Sequence, residues 1–425
     1  MSVLVNRVRA ARQSARVLAT LKKEDRNLAL EQVKVLLGQY KEDIFKANEA
    51  DLAKAREEDL ALPLLSRLAF DEKTLNTSLD GIDSLLALED PVGKIGLATK
   101  LDEGLELYRV SCPLGVVGVI FESRPDALVQ IACLAIKSGN AVLLKGGSEA
   151  KHTNEILAKV LAKATADLLP DAWLTLLEDR AAVNEILSLD QDIDLLIPRG
   201  SNEFVRYIMD NTRIPVLGHA DGICHTYIAK DAPLDLARTV VLDAKTQYTA
   251  VCNATETLLI DKAWPKEYRK AVLDALREKD VELSADEELA LDFGLAKQDN
   301  WALEYLDLGL SVKLVDGIDD AISHINTYGS GHTDAILTME NALAEQFMNE
   351  VDSANVFWNC STRFSDGFRY GFGAEVGVST SKIHARGPVG LDGLMTYKYK
   401  LYGSGQIVGD YSSGAKVFLH DKIDL

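Results

Sequence analysis

The sequence predicts an α/β protein built from two lobes, and three observations support this fold class. The chain has 425 residues, too many for one small domain, so that two domains are expected. From residue 116 onward, short apolar runs alternate with amphipathic helical stretches, as in parallel sheets with crossover helices. A second alternation of the same kind begins near Cys224, and no low-complexity linker separates the two.

The elements can be placed in order from their periodicity. The first hundred residues are predicted to be helical, because Ala29, Val33, Leu37 and Ile44 recur at helical intervals with polar residues between them. The strand candidates of the two lobes are short apolar runs bounded by glycine turns. They are 116–120, 141–144, 174–177 and 195–197 in the first lobe, and Cys224–Ile228, 256–260, 312–315 and 335–338 in the second.

A separate strand is predicted near the C-terminus. Residues 397–402 alternate with a period of two and place lysines on one face, which is typical of an edge strand. We expect this strand to pair with residues 105–110 and to form an arm that reaches another subunit.

Composition and charge exclude several functions. With 65 acidic against 46 basic residues, the net charge is −19, which argues against a binder of nucleic acids or of anionic membranes. The longest apolar stretch, residues 110–121, is interrupted by proline and glycine and is shorter than the roughly 20 residues of a spanning helix. The five cysteines are scattered and never in CxxC spacing, so we expect a reduced, cytoplasmic chain without a structural zinc site.

Two glycine turns are candidates for phosphate binding. The first follows a predicted strand and opens a helix, so that its backbone N–H groups and a lysine charge could meet a phosphate. It consists of Lys145, Gly146, Gly147 and Ser148. Neither complete nucleotide-binding motif is present, and an ordinary strand-to-helix turn is the alternative.

The second turn occupies the same position after a later strand. It consists of Pro198, Arg199, Gly200 and Ser201, and a simple capped helix is the alternative. Two such turns in neighbouring strand–helix units favour a dinucleotide over either turn taken alone.

Cys252, in the loop 244–254, is the first candidate nucleophile. A thiol needs a lowered pKa to act as a nucleophile, and backbone N–H groups at the start of a regular element can provide it. A buried structural cysteine is the alternative. Cys224 beside His225 is a competing nucleophile–base pair. Together with His219 these two residues also suggest a metal site. Two of the three ligands are adjacent in the chain and a fourth ligand is missing, so we predict no metal site.

The glycine-rich C-terminal region is a candidate substrate loop. It carries Arg363, the segment 371–375, His384 and Arg386, which is the composition expected of a loop that closes over an anionic substrate. A plain surface loop is the alternative.

Together these stretches resemble one family, the γ-glutamyl phosphate reductases (glutamate-5-semialdehyde dehydrogenases), a branch of the aldehyde dehydrogenase superfamily. The resemblance is carried by residues 116–125, 137–149, 198–202, 215–225, 252–259, 352–354, 384–388 and 396–399. It implies an aldehyde-dehydrogenase-like fold with a Rossmann-type cofactor lobe, an α/β catalytic lobe and a β-arm for oligomerisation. The implied divisions are a cofactor-binding domain at 1–222, of which 98–112 join the arm, a catalytic domain at 223–370, and a return segment with the C-terminal strand at 371–425.

The resemblance also implies an activity. The reaction is the NADPH-dependent reduction of L-γ-glutamyl 5-phosphate to L-glutamate 5-semialdehyde with release of phosphate, the second step of proline biosynthesis. Cys252 falls at the family's nucleophile, which forms a thioester, and Asn253 beside it is placed with the catalytic residues; the backbone N–H of Cys252 is the expected oxyanion donor. Oxidation of another aldehyde with NAD(P), a cysteine hydrolase based on Cys224 and His225, and a non-catalytic scaffold subunit are the alternatives.

Cofactor residues are implied in the same way. Lys145 matches the lysine at the adenine ribose, with Gly146 and Gly147 after it, and Glu304 matches the glutamate that holds the nicotinamide ribose. Gly200 and Ser201 match the pyrophosphate turn. Ser148 stands where NAD-preferring relatives have a carboxylate, which favours NADPH/NADP because a small hydroxyl leaves room for a 2′-phosphate.

Two departures from the oxidising relatives suggest how the chemistry is steered. Val216 stands where those enzymes carry the glutamate that activates water, so that a thioester would persist until it is reduced. Arg124 stands at their oxyanion asparagine, and we hypothesise that it binds phosphate or a substrate carboxylate. The full set of substrate candidates is Arg124, Asp221, His225, Arg363, His384 and Arg386.

The remaining expectations concern partners and charge. The resemblance implies a homodimer or a dimer of dimers, and a separate glutamate 5-kinase chain with which the protein could associate. The motif stretches also concentrate basic residues, which predicts a positive cleft within an acidic shell. These residues are Lys145, Arg199, Lys245, Arg363, Lys382 and Arg386.

Overall fold

A computed structural model describes residues 2–60, 62–177, 180–218 and 221–424; His219 lies outside the described residues. In chain order the helices are α1 (Val3–Leu18), α2 (Lys23–Gln39), α3 (Lys41–Glu57), α4 (Leu62–Leu68), α5 (Glu72–Ala87), α6 (Pro125–Ser138), α7 (Lys151–Thr165), α8 (Arg180–Ile186), α9 (Asn202–Asp210), α10 (Leu234–Thr246), α11 (Lys266–Arg277), α12 (Glu287–Phe293), α13 (Ile318–Tyr328), α14 (Asn341–Glu350) and α15 (Val408–Ser412). The strands are β1 (Ile95–Asp102), β2 (Leu105–Pro113), β3 (Val116–Ile120), β4 (Ala141–Lys145), β5 (Leu174–Leu176), β6 (Leu195–Pro198), β7 (Cys224–Ile228), β8 (Thr255–Asp261), β9 (Glu282–Ala285), β10 (Ala296–Lys297), β11 (Gly309–Val315), β12 (Thr333–Leu337), β13 (Asn355–Trp358), β14 (Gly377–Ser379), β15 (Gly387–Val389), β16 (Met395–Tyr402) and β17 (Asp421–Lys422).

The five N-terminal helices confirm the predicted helical start as far as Ala87, whereas the end of the predicted range was wrong because β1 begins at Ile95. Ala29, Val33 and Leu37 of α2 and Ile44 of α3 are fully buried, as the spacing requires, and the two helices pack against α7 of the first lobe. The side chain of Asp71 caps α5 by accepting a hydrogen bond from the Thr74 backbone N–H.

The first lobe contains a four-stranded parallel sheet with the order β5-β4-β3-β6. Strand β3 is buried along its whole length, which fits a parallel sheet covered on both faces. The chain runs from β3 through β4 to β5 on one side and returns to β6 on the other. The order therefore reverses between β3 and β6, where parallel α/β sheets form ligand crevices.

The second lobe contains a seven-stranded parallel sheet with the order β10-β9-β11-β8-β7-β12-β13. All four strands predicted in this lobe are present, as β7, β8, β11 and β12, in the centre of the sheet. The sequence analysis missed β9, β10 and β13. These strands lie toward the two edges, are short and mix polar with apolar residues, so that they lack the continuous apolar run that marks a buried strand.

The predicted arm pairing is also confirmed. Strand β16 pairs with β2 in antiparallel register, with Tyr397 opposite Ser111 and Tyr399 opposite Arg109. Strands β1 and β17 complete a four-stranded sheet of order β16-β2-β1-β17, in which β16 forms one edge. That this arm joins another subunit stays a prediction, as do the domain limits at residues 222 and 370. No helix in the described ranges combines the length and the apolar character that crossing a bilayer requires.

Candidate active site

Cys252 lies in a cleft between the two lobes. The nucleophile loop, residues 247–254, connects the end of α10 to the start of β8. The cleft has a volume of about 520 Å³, and its walls include Arg199 from the first lobe, Glu304 from the second and Glu375 from the C-terminal segment. Cys252 is partly exposed, so a ligand in the cleft can reach it.

A buried ion pair fixes both ends of the nucleophile loop. Lys245 Nζ, at the end of α10, lies 2.6 Å from Glu256 Oε2 in β8, and both side chains are completely buried. Burial raises the pKa of Glu256 to about 7, although the charge of Lys245 opposes the shift. Lys245 was expected to contribute positive charge to the cleft; this expectation was wrong, because its ammonium group is buried and neutralised by Glu256.

The loop is also held by contacts from distant parts of the chain. Asn253 Nδ2 donates a hydrogen bond to the Ser365 carbonyl at 2.7 Å, and Arg67 of α4 donates one to the Ala250 carbonyl at 3.0 Å. Asn253 Oδ1 is buried and has no hydrogen-bond partner in the described part of the chain. Asn253 therefore uses its amide nitrogen to fix the loop, whereas its catalytic role stays a prediction.

Gly222 brings the predicted nucleophile and the predicted nicotinamide-ribose residue together. A Cβ at Gly222 would lie 2.5 Å from the Cβ of Cys252, so that only glycine allows this close approach. The Gly222 backbone N–H donates to Glu304 Oε1 at 3.0 Å, and Asn202 Nδ2 donates to Glu304 Oε2 at 2.7 Å. Glu304 is thus held beside Cys252, in the same cleft, as the predicted pair of roles requires.

Two arginines lie near Cys252. Arg199 lines the same cleft, and Arg363 Nε donates to Gln247 Oε1 of the nucleophile loop at 3.0 Å. Burial lowers the pKa of each arginine, and a negative charge at Cys252 would oppose that shift. Of the six basic residues predicted to line a positive cleft, Arg199 lines it and Arg363 contacts the loop that carries Cys252.

Glu375 lies among these charges and was not singled out from the sequence. Its Oε2 accepts a hydrogen bond from the Gly367 N–H at 2.8 Å. Burial raises the pKa of Glu375, while Arg199 and Arg124 oppose the shift. A carboxylate is unexpected in a loop predicted to bind an anion. Nothing in the sequence pattern shows that Glu375 lines the same cleft as Cys252.

The two glycine turns lie at the carboxyl ends of β4 and β6, on either side of β3. Lys145 Nζ donates to the Gly146 carbonyl, and Ser148 begins a 3₁₀ turn. Ser201 occupies the N-cap position of α9, but its side chain makes no capping hydrogen bond, and Gly200 lies over the Glu122 carboxylate. The structure therefore places both turns at one edge of the sheet, next to the point where the strand order reverses.

Glu149 shapes the first turn in a way that the sequence did not reveal. Its Oε1 accepts hydrogen bonds from the Ser123 N–H at 2.6 Å and the Ser123 hydroxyl at 2.7 Å. A Cβ at Gly147 would lie 1.9 Å from the same oxygen, so glycine is needed there for the carboxylate to fold back. Glu149 is thereby directed toward the backbone of the first lobe.

Three further substrate candidates, Asp221, His384 and Arg386, are hydrogen-bonded to other residues of the protein. Asp221 accepts hydrogen bonds from Asn202 and Arg206, so it supports the residue that holds Glu304. His384 Nε2 lies 2.7 Å from the Gly393 carbonyl, and Arg386 bonds the main chain and side chain of Asp352. His384 and Arg386 line a separate cavity of about 600 Å³ that does not include the cysteine. Lys382 also pairs with Asp352 and does not line the cleft with Cys252.

The competing pair Cys224 and His225 is not formed. His225 is completely buried and its Nδ1 lies 2.8 Å from Asp334 Oδ1, whereas Cys224 Sγ contacts the Cys252 carbonyl at 3.1 Å and His332 at 3.7 Å. Adjacent residues of a strand point to opposite faces, which separates the thiol from the imidazole. Within the described ranges, no group of three or more metal-ligating side chains is arranged to hold an ion.

Comparison with known proteins identifies the class. Residues 4–295 match the sequence profile of the aldehyde dehydrogenase family. The chain therefore belongs to the aldehyde dehydrogenase family.

More similar relatives narrow the assignment. The γ-glutamyl phosphate reductase of Acetivibrio thermocellus is 61% identical over 410 residues, which cover 96% of this chain and 95% of that protein. The γ-glutamyl phosphate reductase of Ruminiclostridium cellulolyticum is 58% identical over the same length and coverage. The crystal structure of the Thermotoga maritima γ-glutamyl phosphate reductase superimposes with a TM-score of 0.93 at 35% identity, covering 96% of this chain and 100% of that one. Within the aldehyde dehydrogenases, the chain belongs with the γ-glutamyl phosphate reductases.

Proposed function

We propose that this protein reduces L-γ-glutamyl 5-phosphate to L-glutamate 5-semialdehyde with NADPH, through a thioester on Cys252. The observation that carries the proposal is the position of Cys252, in a cleft that Arg199 and Glu304 also line, with Arg363 bonded to the loop that carries the cysteine. The relatives named above are reductases of this substrate, which makes the same reaction the expected one here.

The acylation step follows from the charges around the thiol. The Cys252 thiolate attacks the carbonyl carbon of the acyl phosphate, a C–S bond forms, and the bond from that carbon to the phosphate oxygen breaks. Arg199, which lines the cleft, and Arg363, which bonds the nucleophile loop, are the proposed partners of the departing phosphate, because its charge is negative. The backbone N–H of Cys252, in the anchored loop, is the proposed donor to the oxyanion.

A nicotinamide dinucleotide fits the residues at the sheet edge. Members of the aldehyde dehydrogenase family use such cofactors, and two glycine turns lie at the β3/β6 crevice where dinucleotides bind in such sheets. Lys145 and Ser148 would hold the adenosine end, Gly200 and Ser201 the pyrophosphate, and Glu304 the nicotinamide ribose. The reduced cofactor, when bound, supplies the hydride that converts the thioester to the aldehyde.

Hydrolysis of the thioester has to be avoided, and the site is built accordingly. Val216 is partly buried and packs against the hydrophobic core of the first lobe, where it cannot activate water. The carboxylates that do line the cleft, Glu304 and Glu375, each accept backbone hydrogen bonds that hold them in place. We propose that they bind ligands rather than act as bases toward water.

The reverse reaction tests this proposal. Wild-type protein should reduce NADP⁺ with L-glutamate 5-semialdehyde only when phosphate or arsenate is added, and Cys252→Ala should abolish the reaction. Cys112→Ala, which removes a partly exposed thiol in the arm, serves as the matched control and should remain active. Activity without phosphate would instead indicate simple aldehyde oxidation, and activity without nicotinamide a hydrolase; no activity in any assay would indicate a scaffold.

A further inference from the structure

We infer that Arg124 and Asp126 form the site for the amino-acid end of the substrate, with Arg124 binding the α-carboxylate and Asp126 the α-ammonium group. This inference rests on the proposed function, since it assigns the residues that recognise the glutamyl part of the same substrate. The two side chains lie at the N-terminus of α6, Arg124 at its N-cap position and Asp126 in its first turn.

A second cavity lies against this pair. It has a volume of about 320 Å³ and is enclosed by α5, by the first half of α6 and by residues 368–374. Its lining combines polar side chains with apolar ones; the polar ones include Ser78, Asp80, Asp126 and Gln130, and the apolar ones Ile82 and Val129. This combination suits a short aliphatic chain that ends in charged groups, such as the glutamyl side chain with its α-carboxylate and α-ammonium groups.

The cavity adjoins the cleft that holds Cys252. Ala374 lines the cavity, and the next residue in the chain, Glu375, lines the cleft. Partial desolvation acts to lower the pKa of Arg124, but the carboxylates of Asp126 and then Glu375 raise it overall. Both carboxylates thus act on Arg124, and in the substrate only three carbon–carbon bonds separate the reacting carbonyl from the α-carbon.

The pair is already arranged to receive a zwitterion. Arg124 Nη2 lies 2.9 Å from Asp126 Oδ2, with 47% and 27% of the two side chains exposed. An ion pair that is open to water contributes little to stability, so a ligand can separate it easily. The substrate's α-carboxylate would pair with the guanidinium group of Arg124, and its α-ammonium group with the carboxylate of Asp126. Binding would therefore replace one ion pair by two.

Two aldehydes distinguish the roles of the two residues. 5-Oxopentanoate has the length and the carboxylate of L-glutamate 5-semialdehyde but lacks its amino group. In the phosphate-dependent assay, Asp126→Asn should raise the KM for glutamate semialdehyde about tenfold or more, the loss expected for one charge-assisted contact, and leave the KM for 5-oxopentanoate unchanged. Arg124→Gln should raise the KM for both aldehydes, and kcat should change little in either variant.

The controls separate recognition from structure. Asp83→Asn removes an exposed carboxylate of α5 that pairs with Lys34 outside the cavity, and it should leave both KM values unchanged. Equal increases for the two aldehydes in Asp126→Asn would show that the residue acts only through Arg124, and unchanged values would show that it does not touch substrate; either result overturns the assignment. If wild-type protein used neither aldehyde, the proposed function itself would fail.

Discussion

At the scale of single residues, the structure separates the five thiols. Burial raises the pKa of Cys133 to about 12 and also raises that of Cys112, Cys224 and Cys360, so that all four stay protonated at neutral pH. Cys252 differs from these four because it alone lines the cleft that contains Arg199 and Glu304 in the described part of the chain. The sequence alone left Cys224 as a competitor, because the burial of a thiol depends on which strands surround it.

This difference predicts selective alkylation. Brief treatment of the native protein with iodoacetamide should modify Cys252 first, and bound phosphate should slow the modification by occupying Arg199 and Arg363. Peptide mass spectrometry at several times would measure it, with urea-unfolded protein as the control in which all five cysteines react. Faster modification of Cys224 would contradict the assignment of the nucleophile.

Ser148 predicts the choice of nucleotide. In Ser148→Glu a new carboxylate would face the 2′-phosphate, and like charges a few ångströms apart cost about 1–4 kcal/mol near a surface. We therefore expect kcat/KM for NADPH to fall by roughly tenfold or more, since 1.36 kcal/mol is a factor of ten, while that for NADH changes little. Ser148→Gln, of similar size but uncharged, is the control; an equal loss in both variants would mean that bulk rather than charge decides.

At the scale of elements, buried polar groups fix how the second lobe packs. The pair Lys245 and Glu256 joins α10 to β8, and Glu256 Oε1 also accepts the Leu306 N–H at 3.2 Å. Such contacts were not predictable from the sequence. In the sequence, Lys245 and Glu256 are indistinguishable from ordinary surface residues. Only the packing of α10 against β8 shows that both side chains are buried.

Breaking this pair should destabilise the protein strongly. Lys245→Met removes the charge that opposes the rise in the Glu256 pKa, so the buried group must take up a proton or stay ionised without a partner, and we expect a loss of up to about 3–5 kcal/mol. The double variant Lys245→Met/Glu256→Gln removes both charges and should recover most of that loss. Chemical denaturation would measure the free energy of unfolding; a single variant as stable as wild type would show that water reaches the carboxylate.

His324 of α13 predicts how the stability depends on pH. Burial lowers its pKa from 6.5 to about 3, with His225 and Lys313 adding repulsion. Between pH 6.5 and 3, His324 is protonated in the unfolded chain but neutral in the folded protein. The free energy of unfolding should therefore fall as the pH drops through this range.

The slope provides the measurement. One such group contributes up to about 1.4 kcal/mol per pH unit, and His324→Phe should remove that part of the slope. Denaturation midpoints at pH 7.0, 6.0 and 5.0 would show it, with His152→Phe, an exposed histidine paired with Asp51, as the comparison. If the unfolding free energies of wild type and His324→Phe changed equally with pH, the prediction that His324 is buried and neutral would be contradicted.

At the scale of the whole molecule, the sequence predicted the parts that depend on local pattern. The central strands, the N-terminal helices and the pairing of β16 with β2 follow from apolar periodicity, and Cys252 and Glu304 from family motifs. The outer strands β9, β10 and β13, the burial of Lys245, and the positions of Arg67 and Glu375 in the cleft could not be predicted. They depend on which distant segments meet, and no local pattern encodes that.

The edge strand of the arm predicts assembly. Tyr397, Tyr399 and Leu401 of β16 are each more than half exposed, an unusual apolar content for an open sheet edge. We expect the purified protein to be a homodimer or a dimer of dimers, and Tyr397→Lys/Tyr399→Lys to weaken the association by placing like charges in the contact. Sedimentation velocity would detect the change in mass. Lys422→Glu, on the opposite edge strand, is the control, and an unchanged mass for the tyrosine variant would exclude this edge as the interface.

The contact of Gly222 with both Cys252 and Glu304 has a mechanical consequence. The nucleophile and the residue proposed to hold the nicotinamide ribose touch the same glycine, and Glu256 bonds the segment next to Glu304 while bracketing the nucleophile loop. The position of Cys252 relative to Glu304 is therefore set by one short backbone segment rather than by the packing of the two lobes. A side chain at residue 222 would change that spacing even if both functional residues were left intact.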